Sequence, residues 1–532
     1  VTARRRAVWP VAVALVGGAG AARLAHLGGD SFWIDEISVT SLARDPGFPG
    51  SLVERAGPFE PPLSFLAVRA AVALGPDASF EAWARLPSAL AGTAEVALAA
   101  LLAWELTRSR RITLVATALL AAAPFGLRLS QDARYYPLFS LLALAAWWTG
   151  LRAWRAPTAG RWAAWGTVVG VGMLTHPFTP LVVAGQAVVG GVVSVRRRAR
   201  PPARPVAAGV AVAVLLAAPW WTYAVLRWRS GPRRRVAINE PGTFDVRVDL
   251  DLLRRSAEWL LGNAARLTPL VAALAAAIAV GVLAARGRPG TVARVTMTLC
   301  LGTALALVPL ARAMGTYFAM RRVGFLVPPL LIVAAIGIDA AGRSLGRLER
   351  RRAGPLAAAG VTAITVGVLA LSVRATAGVY RSERTPYREL AEVVEAAPAD
   401  DLVVIGPVPG RWRSRIPDYL DWRGVRRPVR YLRTRASPAE LERVVPAGTR
   451  RVTWLLPSSP ARIGLPGRAL ADPGRQAVIA GDRSWGNVIL PWYAARSVGD
   501  PDTVAAVRDA VATLPALVRL DAPERVAPAG RA

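Results

Sequence analysis

Lysine is absent from this 532-residue chain: all 66 basic residues are arginine, against 35 acids. That uniformity points to a compositional bias of the genome more than to a binding role. Cysteine occurs once, as Cys300 inside an apolar run, which excludes an intrachain disulfide and a cysteine-based metal site. Histidine occurs twice. No His/Asp/Glu cluster has the spacing of a tight metal site, and no Gly-rich phosphate loop follows a strand. Charge of any kind is scarce at 19%, below the ~25% of ordinary soluble domains. No internal repeat of fixed period is present.

What fills the sequence instead is apolar: 53% hydrophobic residues and a mean hydropathy of +0.36. These residues sit in repeated stretches that approach the roughly 20 needed to cross a bilayer. This excludes a soluble enzyme, a disordered chain and a fibrous one, and implies a polytopic α-helical membrane protein. The net charge of +31 invites a nucleic-acid reading, but no Arg/aromatic platform supports one. Cytoplasmic loops attract arginine for topological reasons and absorb most of the excess.

The first apolar stretch, about Val8 to Leu27, follows Arg4–Arg6 and reads as an uncleaved span with the N-terminus cytoplasmic. Arg108–Arg111, Arg152/Arg155/Arg161, Arg196–Arg204, Arg286/Arg288/Arg294 and Arg343–Arg352 mark further cytoplasmic loops. They alternate cleanly only if segment 62–75, short and carrying Arg69, does not cross but lies as a re-entrant or interfacial helix. About eleven transmembrane helices result, with the C-terminus outside. The membrane domain then spans 1–379, with outer loops 28–86 and 227–266, the latter rich in Arg and suited to anionic phosphate. Residues 380–532 alternate strand-like runs (Leu402–Gly406, Arg451–Leu456, Gln476–Ala480, Asn487–Leu490) with helix-like ones (Thr385–Ala391, Asp502–Thr513). They read as one extracytoplasmic α/β domain with a loose tail.

The polar residues of interest gather at the outer ends of the spans. Asp35 and Glu36 follow the first span in Phe32-Trp33-Ile34-Asp35-Glu36, where a carboxylate near the membrane surface can act as general base. Adjacent carboxylates diverge on most backbones, so one of the two faces a given site. Gln131-Asp132-Ala133-Arg134-Tyr135-Tyr136 falls on the same face; taken alone it is equally an interfacial turn with belt tyrosines. Glu60-Pro61-Pro62, Arg85-Leu86-Pro87-Ser88 and Thr175-His176-Pro177 join them, each with a plain structural alternative: a Pro turn, a snorkelling Arg, a hydrogen-bonded His at a helix end. Arg321 and Arg322 precede a Pro-containing span and suit a lipid phosphate.

The order of these motifs resembles the GT-C superfamily of membrane glycosyltransferases, in particular the protein O-mannosyltransferase and aminoarabinose transferase branch. The similarity lies in Trp33-Ile34-Asp35-Glu36, Pro61-Pro62-Leu63, Arg85-Leu86-Pro87-Ser88-Ala89-Leu90, Gln131–Tyr136, Leu174-Thr175-His176 and Arg321-Arg322 with Pro328-Pro329, over residues 8–345. Two positions depart from the family pattern: Glu60 stands where a His or Lys is usual before the Pro pair, and Pro177 where a Tyr often follows the His.

The resemblance implies transfer of a sugar, mannose or arabinose-like, from a polyprenyl-phosphate donor to an acceptor hydroxyl on an envelope glycan, lipid or protein at the outer face of the plasma membrane. By the same carry-over Asp35 is the general base, with Glu36 and Asp132 beside it. Arg321, Arg322, Arg85 and Arg134 are the donor-phosphate ligands, and Glu60, Gln131, Tyr135 and His176 the substrate contacts. Relatives differ in metal use, which leaves a divalent cation (Mg or Mn) at Asp35 and Asp132 open. A transporter or lipid flippase without chemistry is the competing class. It would keep ionisable groups near mid-membrane and often repeat its halves, whereas here the spans hold few charges and no second half copies the first. A purely structural scaffold would have no need of Asp35 or Asp132.

Overall fold

The computed structural model describes residues 8–56, 60–198, 202–230, 268–313, 320–347, 353–381, 387–408, 416–433, 437–456, 478–479, 492–498, 504–505 and 508. The chain forms two compact units: Val1–Leu27 with Leu42–Arg381, and Gly28–Ser41 with Ser382–Ala532.

The first unit is helical, as the apolar runs require. Among the described residues five helices are long and apolar enough to cross a membrane: Phe80–Thr107, Thr179–Arg196, Ala203–Ser230, Val323–Ser344 and Ala359–Ala377. Two bent pairs raise the number to seven: Arg110–Ala121 with Pro124–Ser130, and Pro269–Leu283 with Gly287–Ala306. The chain is thus a polytopic helical membrane protein. Helix ends follow local chemistry. Ser109 caps its helix by accepting from the Ile112 N–H, and Thr158 does the same for Arg161. The long Phe80–Thr107 helix stops where Arg108 turns left-handed, at φ 54°.

Small residues let the helices approach. A Cβ on Gly166 would lie 2.0 Å from the Gly209 carbonyl oxygen, and one on Gly337 1.7 Å from that of Ala277. Lipid offers no hydrophobic gain for helix association, so such backbone contacts supply the attraction instead. The 62–75 segment is a single helix, Leu63–Leu74, of 12 residues. At about 1.5 Å per residue it spans roughly 18 Å, short of a ~30 Å hydrocarbon core. Arg69 on it donates to the carbonyls of Ala43 and Asp45, both at 2.9 Å. Arg227, read as one of the phosphate-seeking arginines of loop 227–266, pairs with Glu54 on the short Gly50–Ala56 helix. The 231–267 part of that loop lies outside the described residues.

The second unit is α/β. Its sheet has strand order β2-β1-β3-β5-β4, from β1 Leu402–Val408, β2 Val429–Arg433, β3 Arg451–Leu456, β4 Val478–Ile479 and β5 Trp492–Val498. β1 runs parallel to both β2 and β3, while β5 is antiparallel to β3 and β4. Val403, Val404, Ile405, Val452, Trp454 and Leu455 are buried, as continuous apolar runs in a central parallel pair demand. The Tyr387–Ala396 helix buries Tyr387, Leu390, Ala391 and Val394, one face at helical spacing.

Strand β2 escaped the sequence reading because Arg430 and Arg433 interrupt its apolar pattern. Its Tyr431 phenol is pushed up by burial and by the Asp418 carboxylate. The expected strand Asn487–Leu490 and most of the expected helix Asp502–Thr513 lie outside the described residues. One placement differs from the expectation that 28–86 forms a single loop of the membrane domain: Gly28–Ser41 is built into the α/β unit. Phe32, fully buried, meets Tyr419 there with ring centroids 6.3 Å apart.

Candidate active site

The helical unit concentrates its buried polar side chains around one broken helix. Pro124 has no N–H to give the Leu120 carbonyl and starts a new helix, Pro124–Ser130, bent 54° from Arg110–Ala121. The break frees carbonyls, and Arg23 takes them up. Its guanidinium donates to Leu120 and Ala121 at 3.4 Å each, to Ala19 at 3.2 Å, and through Nε to Ser130 Oγ at 3.2 Å. Arg23 has 0% exposure, so these bonds are what offsets the cost of burying its charge. The sequence reading passed over Arg23 as part of the first apolar stretch. A lone arginine inside a span is itself the signal that could have found it.

The turn that follows carries the Gln131–Tyr136 motif. Gln131 Nε2 donates to the Ala25 carbonyl at 2.9 Å, and the Arg134 carbonyl accepts from Ser88 Oγ at 2.8 Å. The Asp132 N–H donates to Leu129 and the Arg134 N–H to Asp132, at 3.2 and 2.7 Å. Gln131 and Asp132 are 5% and 4% exposed. The turn is buried and hydrogen-bonded on both its side chains and its backbone. The Arg134 guanidinium lies over the rings of Tyr135 and Tyr136, 4.9 and 5.5 Å from their centroids. Arg85, also buried, donates to the Leu27 carbonyl at 2.9 Å, so the Phe80–Thr107 helix holds the chain just after the Val8–Leu24 helix.

His176 is buried in an aromatic cluster. It stacks on Phe139 at 4.3 Å and meets Tyr135 and Phe178 edge-on at 4.8 Å each. Its Nδ1 accepts the Phe178 N–H at 3.0 Å, which fixes the unprotonated nitrogen. The Leu63 N–H donates to the Leu174 carbonyl at 3.0 Å, joining the Pro61-Pro62-Leu63 and Leu174-Thr175-His176 motifs by backbone. Glu60, half-buried, stands at the start of that junction. The short 3-10 helix Met320–Leu326, which carries Arg321 and Arg322, packs against the same cluster. Its Phe325 meets Phe139 at 4.9 Å, and a Cβ on Gly324 would lie 2.8 Å from Leu129 Cδ1. The side chains of Arg321 and Arg322 lie outside the described residues.

Asp35 and Glu36 belong to the other unit, in the first turn of the Ile34–Arg44 helix. Their tasks separate. Glu36, with 0% exposure, turns back and accepts the Trp33 N–H at 3.2 Å, half of a capping box. Asp35 is half-exposed. Among the described residues no three His, Cys, Asp or Glu side chains come together to hold a metal ion. Asp35 and Asp132, the residues read as open to a divalent cation, belong to different units.

The arrangement is a buried, arginine-rich polar centre in a helical membrane unit. Residues 60–223 match the family described as dolichyl-phosphate-mannose-protein mannosyltransferase, a stretch that includes Arg85, the Gln131–Tyr136 turn and His176. The fold is similar to ArnT from Cupriavidus metallidurans bound to undecaprenyl phosphate, with TM-score 0.51 and 16% identity over 92% of this chain and 98% of that one. Apo ArnT from the same organism gives TM-score 0.50 and 16% identity over 94% and 99%. No curated protein sequence matches. The chain is thus similar in sequence to that mannosyltransferase family over 60–223 and in fold to ArnT over nearly its whole length.

Proposed function

We propose that this protein transfers a mannose- or arabinose-like sugar from a polyprenyl-phosphate donor to an acceptor hydroxyl at the extracytoplasmic face of the plasma membrane. The observation that carries this reading is the Gln131–Tyr136 turn. It is buried, accepts a hydrogen bond from Ser88 on the Phe80–Thr107 helix, donates one to the Ala25 carbonyl, and lies inside the stretch that matches mannosyltransferases. A scaffold has no use for so much buried polar structure. The undecaprenyl phosphate bound by ArnT supports the same donor chemistry here.

The acceptor is a hydroxyl of an envelope glycan, lipid or protein. Its oxygen attacks the anomeric carbon while its proton passes to the Asp35 carboxylate. The bond from the anomeric carbon to the phosphate oxygen breaks with inversion, and the electron pair leaves with polyprenyl phosphate. Arg321 and Arg322 take up the charge that develops on the phosphate. The packing of their segment against Phe139 and Leu129, beside the Gln131–Tyr136 turn, supports that role. Arg85 and Arg134 assist at the phosphate, Asp132 and Glu60 orient the sugar hydroxyls, and Tyr135 and His176 wall the sugar. Gln131, bonded to the Ala25 carbonyl, acts on the backbone that presents them. In this reading the N-terminus is cytoplasmic and the α/β unit extracytoplasmic.

The test uses purified protein in liposomes with a crude envelope extract as acceptor. Polyprenyl-phosphate-mannose and polyprenyl-phosphate-arabinose, each radiolabelled in the sugar, are supplied separately. Label should leave one donor with the wild type and stay on it with Asp35→Asn. Turnover unchanged by Asp35→Asn, or no consumption of either donor, overturns the reading as stated.

A further inference from the structure

The transfer chemistry above uses nothing from the α/β unit except Asp35, yet this unit grips the segment around Asp35 at three points. Near its start, Arg388 on the Tyr387–Ala396 helix donates through its two terminal nitrogens to consecutive carbonyls, Gly29 at 2.8 Å and Gly28 at 2.9 Å. In the middle, the buried Phe32 ring meets Tyr419, which in turn meets Tyr387 at 6.0 Å. At the far end, Ser41 Oγ donates to Asp418 Oδ2 at 2.5 Å, and Asp418 lies in the first turn of the Ile416–Trp422 helix. Asp35 sits between these anchors, on a helix whose N-terminus Glu36 already closes.

A guanidinium spanning two successive carbonyls fixes the backbone direction as well as its position, which a single point charge cannot do. A general base loses rate steeply when it is displaced by as little as an ångström. We propose that the α/β unit serves as a clamp for the Asp35 segment, with Arg388 and Asp418 as positioning residues for the reaction. This rests on the reading of Asp35 as the base. It assigns the α/β unit a part in catalysis that needs no acceptor contact of its own.

The experiment is hydrogen–deuterium exchange on the full chain in lipid nanodiscs, paired with donor turnover. The variants are Arg388→Met and Asp418→Leu, which remove the anchors, and Asp418→Asn, which keeps an acceptor for Ser41. Exchange across 28–41 should rise about tenfold in the first two. Exchange in β1 and in the Phe80–Thr107 helix should stay at the wild-type level, which reports that both units remain folded. In the same two variants kcat should fall about tenfold with the donor KM unchanged, while Asp418→Asn should keep both near wild type.

Unchanged exchange across 28–41 overturns the clamp. So does raised exchange with kcat retained, or an Asp418→Asn protein as impaired as Asp418→Leu. Asp35→Asn runs alongside to separate the two readings. Full turnover in that variant overturns the base assignment and the catalytic part of the clamp together. Loss of turnover there with unchanged kcat in Arg388→Met overturns the clamp alone.

Discussion

Arg23 Nε donates to Ser130 Oγ across 3.2 Å, joining the end of the first helix to a residue 107 positions later. The Ser130 hydroxyl in turn donates to the Gly126 carbonyl at 2.6 Å, so the contact is directional. Ser130 is the last residue before Gln131 and Asp132. The guanidinium therefore sets where the most motif-rich turn of the helical unit begins.

Replacing Arg23 by Met keeps the length of the side chain and removes all four donor contacts. The Leu120 and Ala121 carbonyls at the Pro124 break then lose their guanidinium donor. A loss of about 2 kcal/mol is expected, since bonds to charged groups carry roughly 1.5–3 kcal/mol and the methionine still packs. Thermal unfolding in detergent measures it. Donor turnover should fall further than the stability loss accounts for, because the turn carrying Asp132 shifts with it.

Gly92 faces the same serine. A Cβ there would come 2.0 Å from Ser130 Oγ and 3.2 Å from Arg23 Nε. Gly92→Ala must push the Pro124–Ser130 helix away from Phe80–Thr107, at an overpacking cost of about 1–3 kcal/mol. Gly17, with nothing within 4 Å of its Cβ position, provides the control. Gly17→Ala should unfold at or slightly above the wild-type temperature, as alanine favours a helix. Equal unfolding temperatures for the two variants would contradict the packing described.

Hydropathy and arginine placement made the helical membrane unit legible, because a bilayer leaves so few ways to satisfy a backbone. The short Leu63–Leu74 helix was readable for the same reason: 12 residues and Arg69 do not fit a span. Less legible was everything that depends on contacts between distant residues. Arg23 stands out in its apolar stretch, but what it holds is visible only once the Pro124 break and Ser130 are brought beside it. Gly28–Ser41 follows the first apolar stretch in sequence, and contacts with distant residues, such as Phe32 against Tyr419, are what join it to the α/β unit. Asp35 and Glu36 were a pair in the sequence. The hydrogen bond from Trp33 to Glu36 separates a capping carboxylate from a candidate base.

That separation predicts opposite phenotypes for neighbouring acids. Glu36→Ala removes the acceptor that closes the helix N-terminus and should cost about 1 kcal/mol of stability, the usual value of a cap. Asp35→Asn is nearly isosteric and should change stability by no more than about 0.5 kcal/mol, as an ordinary polar exchange does. Turnover reverses the order, with Asp35→Asn inactive. Unfolding curves and donor consumption on the same preparations decide it. A destabilised but active Asp35→Asn would reverse the assignment.

His176 allows a sharper test of whether a buried histidine is a catalyst or a brace. Its Nδ1 accepts the Phe178 N–H, and its ring is enclosed by Tyr135, Phe139 and Phe178. His176→Leu keeps an apolar side chain but orphans a buried N–H, for which the penalty is about 1–3 kcal/mol. His176→Asn places an amide oxygen where Nδ1 stands and keeps that bond, losing only ring packing. If His176 braces the wall of the sugar site, Asn should retain more stability and more turnover than Leu, with the remaining defect in the donor KM. If its ring moved a proton, both variants would lose kcat alike, since neither carries a group that titrates in the same range.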